Sequence, residues 1–419
     1  MFLPTCFVLY VALRLALILL VPVQPGSDAG WYLGRALTLL ESGHYSENGL
    51  YTAYWPIGYP GFLSLLFKIS GPSILAAQVA NLVFASASFW LLYALAKRLF
   101  ADESVARLAV LLLTLYPNHI AYVPVLLTEH MYTCILLLGC LLLLVRKSWS
   151  SVVIAGFLFG LATLVKTQTI VVAPALALFA GYHRGSAYPL RGALIRAVVV
   201  GIVALATVSP WTYRNYQVFG TFILVSTNGG MTMLTGNNPS VVGDYGRNFS
   251  EDDPLVKAAR FSVADQVAAD RRARELAWAW IRENPAQFLS LVPKKAFRLW
   301  APDGEGEWEY QRGTPSYEQN VWAFRTARIA NQCFYLAILV LSAWAFVRLV
   351  KRRAPPEVFL GFVLAALTTA LCIVFSGQSR YHFPVMPFLI CYAAWIINAQ
   401  WGRHGGAEER QVVAPEIGR

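Results

Sequence analysis

Apolar residues gather into long runs along this chain, and polar segments with lysine and arginine at their edges separate the runs. A helix that crosses a membrane needs about 20 mostly apolar residues, and ten runs approach that length. The sequence therefore predicts an all-α polytopic membrane protein. Its ten transmembrane helices are expected at residues 3–24, 73–96, 105–123, 130–145, 151–166, 169–183, 192–211, 329–348, 357–376 and 382–400.

The first long connection, residues 25–72, is only half polar. Leu33, Ala36, Leu37 and Leu40 recur at helical spacing, which predicts an amphipathic helix lying in the membrane interface. Gly43 is expected to end this helix. The proline- and glycine-rich segment 54–61 and the apolar residues after it predict a broken re-entry against other parts of the protein.

The second long connection, residues 212–328, is larger and more polar. We predict a helix from Ser262 to Glu283, capped by Ser262 and ended by Asn284-Pro285, then an interfacial stretch from Gln287 to Trp300. The expected organisation is a transmembrane module at 1–211 that contains the first loop, an extracytoplasmic region at 212–328, C-terminal transmembrane helices at 329–402 and a disordered tail at 403–419.

Composition supports a membrane protein, since 57% of residues are hydrophobic and 14% are charged, against about 25% charged in soluble domains. The net charge is +11, but the excess lies at the ends of apolar runs. Residues 212–328 carry 14 basic and 13 acidic residues. This asymmetry places the basic loops and both termini in the cytoplasm, and it argues against nucleic-acid binding. A bacterial inner membrane, with the two long loops outside, is the expected location.

Charged and polar residues recur at the non-cytoplasmic ends of the predicted spans. Charges at membrane depth are costly and tend to line functional cavities. Two acids and three cations at one level suggest a site that binds an anion while it removes a proton. The residues at this level are Asp28, Glu129, His130, Lys166, Arg214, Arg380, Tyr381 and His382.

Each of these side chains also has a structural interpretation. Asp28 suits the N-cap of the first-loop helix, and Glu129 suits either a cap or an ion pair with Lys166. Arg214 and Arg380 suit contacts with lipid headgroups. The two histidines, residues 130 and 382, suit hydrogen-bonded structural roles.

Six short motifs, in this order along the chain, resemble the GT-C glycosyltransferases, specifically the ArnT-like and protein O-mannosyltransferase branch (the PMT-2 type). The resemblance spans nearly the whole chain. It rests on the acid Asp28 with the aromatic pair after it, Trp55-Pro56-x-Gly58-Tyr59-Pro60, Thr128-Glu129, Pro210-Trp211-x-x-Arg214-Asn215-Tyr216, Gly236-Asn237-Asn238-Pro239 and Arg380-Tyr381-x-x-Pro384-x-x-Pro387.

The resemblance implies an inverting glycosyltransferase that transfers a hexose or pentose from a polyprenyl-phosphate donor on the extracytoplasmic face. Asp28 matches the catalytic base, and Glu129 matches a second acid of the family. Arg214, Arg380 and Lys166 are the implied ligands of the donor phosphate. Trp55, which stands where some relatives have a lysine, joins Tyr59, His130, Tyr381 and Asn237 as implied substrate contacts.

The sequence leaves several points open. The acceptor is a glycolipid, a polysaccharide or a protein, and membrane lipids surround the chain. No cofactor is indicated with certainty; Asp28, Glu129, His130 and His382 offer metal ligands, but their spacing forms no local divalent-metal motif. A membrane transporter or lipid flippase is the main alternative function, and a non-catalytic membrane scaffold is a third.

Overall fold

The computed structural model describes residues 1–145, 148–182, 189–241, 262–304 and 306–401, and helices account for nearly all of the regular structure. The tail from residue 403, expected to be disordered, lies outside the described residues. The helices are α1 (Phe2–Leu20), α2 (Ser27–Ser42), α3 (Gly58–Ser70), α4 (Ile74–Phe100), α5 (Glu103–Leu115), α6 (Pro117–Ala121), α7 (Glu129–Val145), α8 (Trp149–Val165), α9 (Thr169–Gly181), α10 (Pro189–Phe219), α11 (Gly229–Gly236), α12 (Gln266–Glu283), α13 (Pro285–Trp300), α14 (Glu307–Gly313), α15 (Val321–Lys351), α16 (Leu360–Val374) and α17 (Met386–Trp401). Short 3-10 helices cover Glu318–Asn320, Pro356–Phe359 and Ser379–Val385, and one hairpin pairs β1 (Ser46–Glu47) with β2 (Leu50–Tyr51).

The all-α polytopic prediction is confirmed, because helices cover most of each predicted span in the described residues. Within the described residues, six helical segments are long and apolar enough to cross a membrane: Phe2–Leu20, Ile74–Phe100, Pro189–Phe219, Glu318–Lys351, Pro356–Val374 and Ser379–Gln400. Three predicted spans correspond to the shorter apolar helices α7, α8 and α9.

The predicted continuous span 105–123 is wrong. It is divided into α5 and α6, since Tyr116 takes an extended backbone (φ −68°, ψ 108°) immediately before Pro117. Proline has no N–H to donate, and its ring disfavours helical geometry at the residue before it. The break turns the chain and carries Asn118 and His119 into the protein interior, where both are buried.

The first loop folds as predicted at its start. Helix α2 ends at Gly43, whose φ of 71° is the left-handed conformation that glycine adopts without steric cost. The β1–β2 hairpin that follows was not predicted. Helix α3 then covers the second part of the segment for which the re-entry was predicted.

Two predictions for the second loop need correction. Helix α12 begins at Gln266, not at Ser262; the Ser262 hydroxyl accepts the Asp265 N–H in the turn before it. The stretch assigned to the interface is helix α13, whose Lys295 is fully buried and donates to Asn237 and to the Ile373 carbonyl. A buried charged side chain used in this way ties the helix to α11 and α16, whereas its interfacial placement stays a prediction.

Glycines allow the helices around the site to approach closely, as small residues do in membrane proteins. A Cβ at Gly160 of α8 would lie 2.4 Å from Thr207 Cβ of α10. A Cβ at Gly58, at the start of α3, would lie 2.5 Å from the carbonyl oxygen of Leu164. Gly58 therefore brings the first loop onto the end of α8, directly beside Lys166.

Replacing Gly58 with alanine should destabilise the protein, because the added methyl overlaps a backbone atom that cannot swing aside. We expect a loss of about 1–3 kcal/mol, as for overpacked cores, measured by thermal unfolding in detergent. The matched control is Gly34→Ala in α2, where a Cβ would meet nothing within 4 Å; it should hold or raise the melting temperature. Equal melting temperatures for the two variants would contradict the close α3–α8 contact.

Candidate active site between the two long loops

Asp28 and Arg380, 352 residues apart in the chain, form an ion pair. Arg380 Nη1 donates to Asp28 Oδ2 over 2.7 Å. Asp28 lies in the first turn of α2 and Arg380 in the 3-10 helix Ser379–Val385. The side chains remain 25% and 19% exposed respectively, so a ligand can reach the pair.

The N-cap interpretation of Asp28 is wrong. Gly26 occupies the N-cap of α2, and no side chain makes a capping hydrogen bond there. Asp28 lies inside the first turn, where the partial positive charge of the helix N-terminus favours a carboxylate. No capping hydrogen bond therefore occupies the Asp28 carboxylate, which faces Arg380 instead.

Glu129 and Lys166 form a second pair, as one of the interpretations predicted. Lys166 Nζ donates to Glu129 Oε1 over 3.0 Å, and the two side chains are only 11% and 1% exposed. Glu129 begins α7 and Lys166 follows the last residue of α8. Two charges this far from water are tolerated because they face one another.

The two ion pairs belong to one cluster. The ring of Tyr381 lies 5.9 Å from Lys166 Nζ and 5.8 Å from Arg380 Cζ, so it faces one cation of each pair. Burial raises the pKa of the Tyr32 hydroxyl well above its usual value; Asp28 and Glu129 raise it further, while Arg380 lowers it. The charges of both acids therefore act on the Tyr32 hydroxyl, which stays protonated.

Glu309 of α14 is a third acid near this cluster, and sequence reasoning missed it. The side chain is buried, and burial, followed by the charge of Asp28, raises its pKa to about 7. Helix α14 reaches the residue just before the first loop through a hydrogen bond from the Gln24 N–H to the Gly313 carbonyl, 2.8 Å long. The acidic run around residue 309 was visible, but no spacing links it to residue 28.

Aromatic side chains form one wall beside Asp28. The Trp55 ring lies 5.8 Å from that of Trp31 and 6.0 Å from that of Tyr32, and it is half-buried, as a stacking surface for a sugar requires. Tyr59 is fully buried, and its hydroxyl donates to Asn81 Oδ1. The expectation that Tyr59 contacts substrate is therefore not supported, whereas Trp55 keeps an accessible face.

Arg214 is committed to the backbone of the first loop. Its guanidinium donates to the carbonyls of Thr52 and Tyr45, each over 2.9 Å, and lies over the Trp211 ring at 4.7 Å. Within the described residues, its hydrogen bonds go to Thr52, Tyr45 and Asn215 and not to Asp28 or the other members of the cluster. The structure uses Arg214 to fasten the first loop to α10, which leaves Arg380 and Lys166 as the cations beside the acids.

Asn237 is also occupied within the fold. Its Nδ2 donates to the carbonyls of Met233 and Val374, and its Oδ1 accepts from Lys295 at 2.7 Å. The amide is fully buried. Asn237 therefore holds α11 against α13 and α16, and a substrate contact through this amide is not supported.

The two histidines differ in their surroundings. His382 has the hydrogen-bonded structural role that was one of its interpretations: Nδ1 faces the Leu299 carbonyl at 2.6 Å and Nε2 faces Asp303 at 3.0 Å. His130 is buried against the ring of His119, 4.6 Å away, with no hydrogen-bond partner for its nitrogens in the described part of the chain.

The acids and histidines of the site do not combine into a metal centre in the part of the chain that is described. No group of three or more His, Cys, Asp or Glu side chains with metal-binding geometry occurs there. Asp28 and Glu129 each face a cation, and His382 faces an acid. The four side chains offered as ligands from the sequence are therefore divided among different contacts.

Comparison with known families confirms the resemblance seen in the motifs. Residues 55–213 match the family model described as dolichyl-phosphate-mannose-protein mannosyltransferase. This segment contains Trp55, Glu129 and Lys166, and it ends one residue before Arg214. No curated protein matches the chain in sequence.

Solved structures share the fold of this chain. The apo oligosaccharyltransferase of Archaeoglobus fulgidus aligns with a TM-score of 0.57 at 14% identity over 95% of this chain and 50% of its own. The same organism's AglB, in complex with an inhibitory peptide and a dolichol-phosphate, gives 0.55 at 14% identity over 97% and 52%. ArnT from Cupriavidus metallidurans bound to undecaprenyl phosphate gives 0.47 at 17% identity over 95% and 78%. The chain spans about half the length of the oligosaccharyltransferases, and the fold assignment rests on those.

Lys166→Met should destabilise the protein, because it leaves Glu129 charged and buried without a partner. Breaking a buried pair in this way costs about 3–5 kcal/mol, and the double variant Glu129→Gln/Lys166→Met should recover much of it in thermal unfolding. The control is Lys97→Met, which breaks the Lys97–Glu103 pair on the surface and should leave the melting temperature nearly unchanged. A Lys166→Met protein as stable as the control would contradict the buried pair.

Glu309 should make stability depend on pH. Its folded-state pKa is raised from 4.5 to about 7, so the folded protein holds this proton more tightly than the unfolded chain does. The stabilisation is full below pH 4.5 and is lost as the pH rises to about 7. The melting temperature of Glu309→Gln should lack this part of the decline, while Glu275→Gln, an exposed change in α12, should follow the parent curve. A Glu309→Gln profile parallel to the parent would refute the raised pKa.

Proposed function

We propose that this protein is an integral-membrane inverting glycosyltransferase that moves a monosaccharide from a polyprenyl-phosphate donor to an acceptor on the extracytoplasmic face. The observation that carries the proposal is the partly exposed Asp28–Arg380 pair, in which a candidate base lies 2.7 Å from a cation suited to the donor phosphate. The match to a mannosyltransferase family and the dolichol-phosphate bound to the structurally similar AglB support it.

In the proposed reaction, Asp28 takes the proton from an acceptor hydroxyl or amine as that group attacks the anomeric carbon. The bond from this carbon to the phosphate oxygen breaks on the opposite face, and the lipid phosphate leaves with the electron pair. A single displacement of this kind inverts the anomeric centre. General-base assistance contributes about 10²–10⁴-fold to such a step.

Arg380 and Lys166 are the proposed stabilisers of the leaving phosphate. Negative charge grows on the phosphate in the transition state, and cations placed beforehand stabilise that charge most effectively. Each cation faces an acid, so its side chain is already oriented. A guanidinium has five N–H donors in one plane, which lets Arg380 contact a carboxylate and a phosphate together. The family resemblance also implies Arg214 as a phosphate ligand. We do not propose it for this role, because its guanidinium donates to backbone carbonyls of the first loop.

Glu129 and Trp55 are proposed to bind the sugars. Glu129 accepts from Lys166 through Oε1, and it lies in the same cluster as Asp28 through their common neighbour Tyr32. Trp55 offers the accessible aromatic face of the wall described above. The proposed donor sugar is a hexose or pentose, and the proposed acceptor is a glycolipid, a polysaccharide or a protein.

Asp28→Asn should fold normally and lose transfer, because an amide is neutral and cannot accept the acceptor's proton. We expect kcat to fall by about 10²–10⁴-fold with donor affinity nearly unchanged, measured with a panel of polyprenyl-phosphate sugars by donor consumption. The control is Glu41→Gln, an exposed change in the same helix, which should match the parent. A purified, folded Asp28→Asn protein with parental turnover would remove Asp28 as the base, and a transporter or flippase would then become the leading alternative.

A further inference from the structure

Asp303, in the segment between α13 and α14, is a buried acid that the proposed reaction does not use. Its carboxylate accepts four hydrogen bonds from side chains, and it is only 3% exposed. Tyr116 Oη donates at 2.6 Å, Asn118 Nδ2 at 2.6 Å, Asn331 Nδ2 at 3.1 Å and His382 Nε2 at 3.0 Å. These donors come from three separate segments of the chain, around residues 116–118, 331 and 382, so Asp303 joins segments that are distant in sequence.

The hydrogen-bond partners of His382 determine which of its nitrogens carry protons. Nδ1 faces the Leu299 carbonyl at 2.6 Å, and a carbonyl only accepts, so Nδ1 carries a proton. Nε2 faces the Asp303 carboxylate. The phenol of Tyr116 and the amides of Asn118 and Asn331 donate to the same carboxylate. Both ring nitrogens of His382 therefore face acceptors, and its ring stacks between Trp300 and Tyr335 at 5.5 and 4.9 Å.

His382 lies two residues after Arg380 in the same 3-10 helix, Ser379–Val385. Within such a short helix, fixing one residue fixes the backbone of its neighbours. The His382 imidazole is held at both nitrogens and on both faces of its ring, which fixes the middle of this short helix. Arg380, two residues earlier, reaches Asp28 from the backbone that His382 holds.

We propose that Asp303 and His382 are positioning residues for the transfer reaction, and that they hold Arg380 where it orients Asp28 and meets the donor phosphate. This inference rests on the proposed function. Buried ion pairs are poor sources of stability compared with apolar packing, so stability alone does not explain a pair at this position. What the pair supplies is one fixed geometry, because an imidazole ring between a carbonyl and a carboxylate has both nitrogens satisfied in only one orientation.

The test compares three variants by their kcat and their KM for the donor. Asp303→Asn should lower kcat by tenfold to a hundredfold and leave KM for the donor within threefold, because Arg380 still binds phosphate but is misaligned with Asp28. Tyr116→Phe is the matched control: it removes one hydrogen bond to the same carboxylate but none to His382, and kcat should stay within twofold. His382→Gln, which keeps one amide donor, should retain less than a tenth of the parental kcat.

A double variant separates positioning from general loss of structure. If Asp303 acts through Arg380, adding Asp303→Asn to Arg380→Ala should lower kcat by less than twofold, since non-additivity reports a shared pathway. A purely structural role predicts that the two losses multiply, and that Tyr116→Phe lowers kcat as much as Asp303→Asn. Either of these results would overturn the proposal.

A readout without catalysis keeps this inference distinct from the proposed function. The ¹⁵N spectrum of histidine-labelled protein, which has six histidines, should show both nitrogens of His382 protonated, with the signal assigned by its loss in His382→Gln. Hydrogen exchange of residues 379–385 should quicken in Asp303→Asn and not in Tyr116→Phe. A singly protonated His382, or unchanged exchange, would refute the positioning pair. If the parent transferred no sugar from any donor, the proposed function would fail while these two measurements still decided the pair.

Discussion

The need to neutralise charge where water is scarce organises the whole site. Asp28 faces Arg380, Glu129 faces Lys166, and Asp303 faces His382. An unpaired buried charge costs several kcal/mol, whereas each pair also provides direction, because its hydrogen bonds are satisfied in one arrangement only. The segments that carry these six side chains have little freedom to place them elsewhere. The helix packing around the site, including the glycine contact at residue 58, is compatible with this arrangement of charges.

The two long loops depend on each other for hydrogen-bond partners. Gln266 of α12 accepts the Ala53 N–H at 2.8 Å and donates to the Tyr51 carbonyl at 3.0 Å, which fastens the β1–β2 hairpin to the second loop. Helix α14 contacts the residues before Asp28 and brings Glu309 near that carboxylate. Backbone polar groups of irregular segments must find partners inside the protein, and here each loop supplies partners for the other. The candidate site therefore has walls from both loops.

Three motif residues make contacts that the motifs did not predict. Arg214, Tyr59 and Asn237 were assigned to ligand binding, and each makes hydrogen bonds within the fold. A motif by itself does not separate a side chain that faces a ligand from one that holds a loop. Conversely, Asp303 and Glu309 lie in a polar, glycine-containing segment without periodicity. Nothing in the local pattern set them apart from exposed acids.

The sequence by itself determined the membrane architecture, the placement of the helices and the acids and cations at their ends. These properties follow from local composition, since an apolar run of sufficient length is stable only as helix in lipid. It also anticipated the Glu129–Lys166 pair. The partner of Asp28, the breaking of the predicted third span at Pro117 and the network around Asp303 were decided by tertiary structure. Ion pairs between residues hundreds of positions apart depend on how helices pack, and packing is a property of the whole chain that no local pattern records.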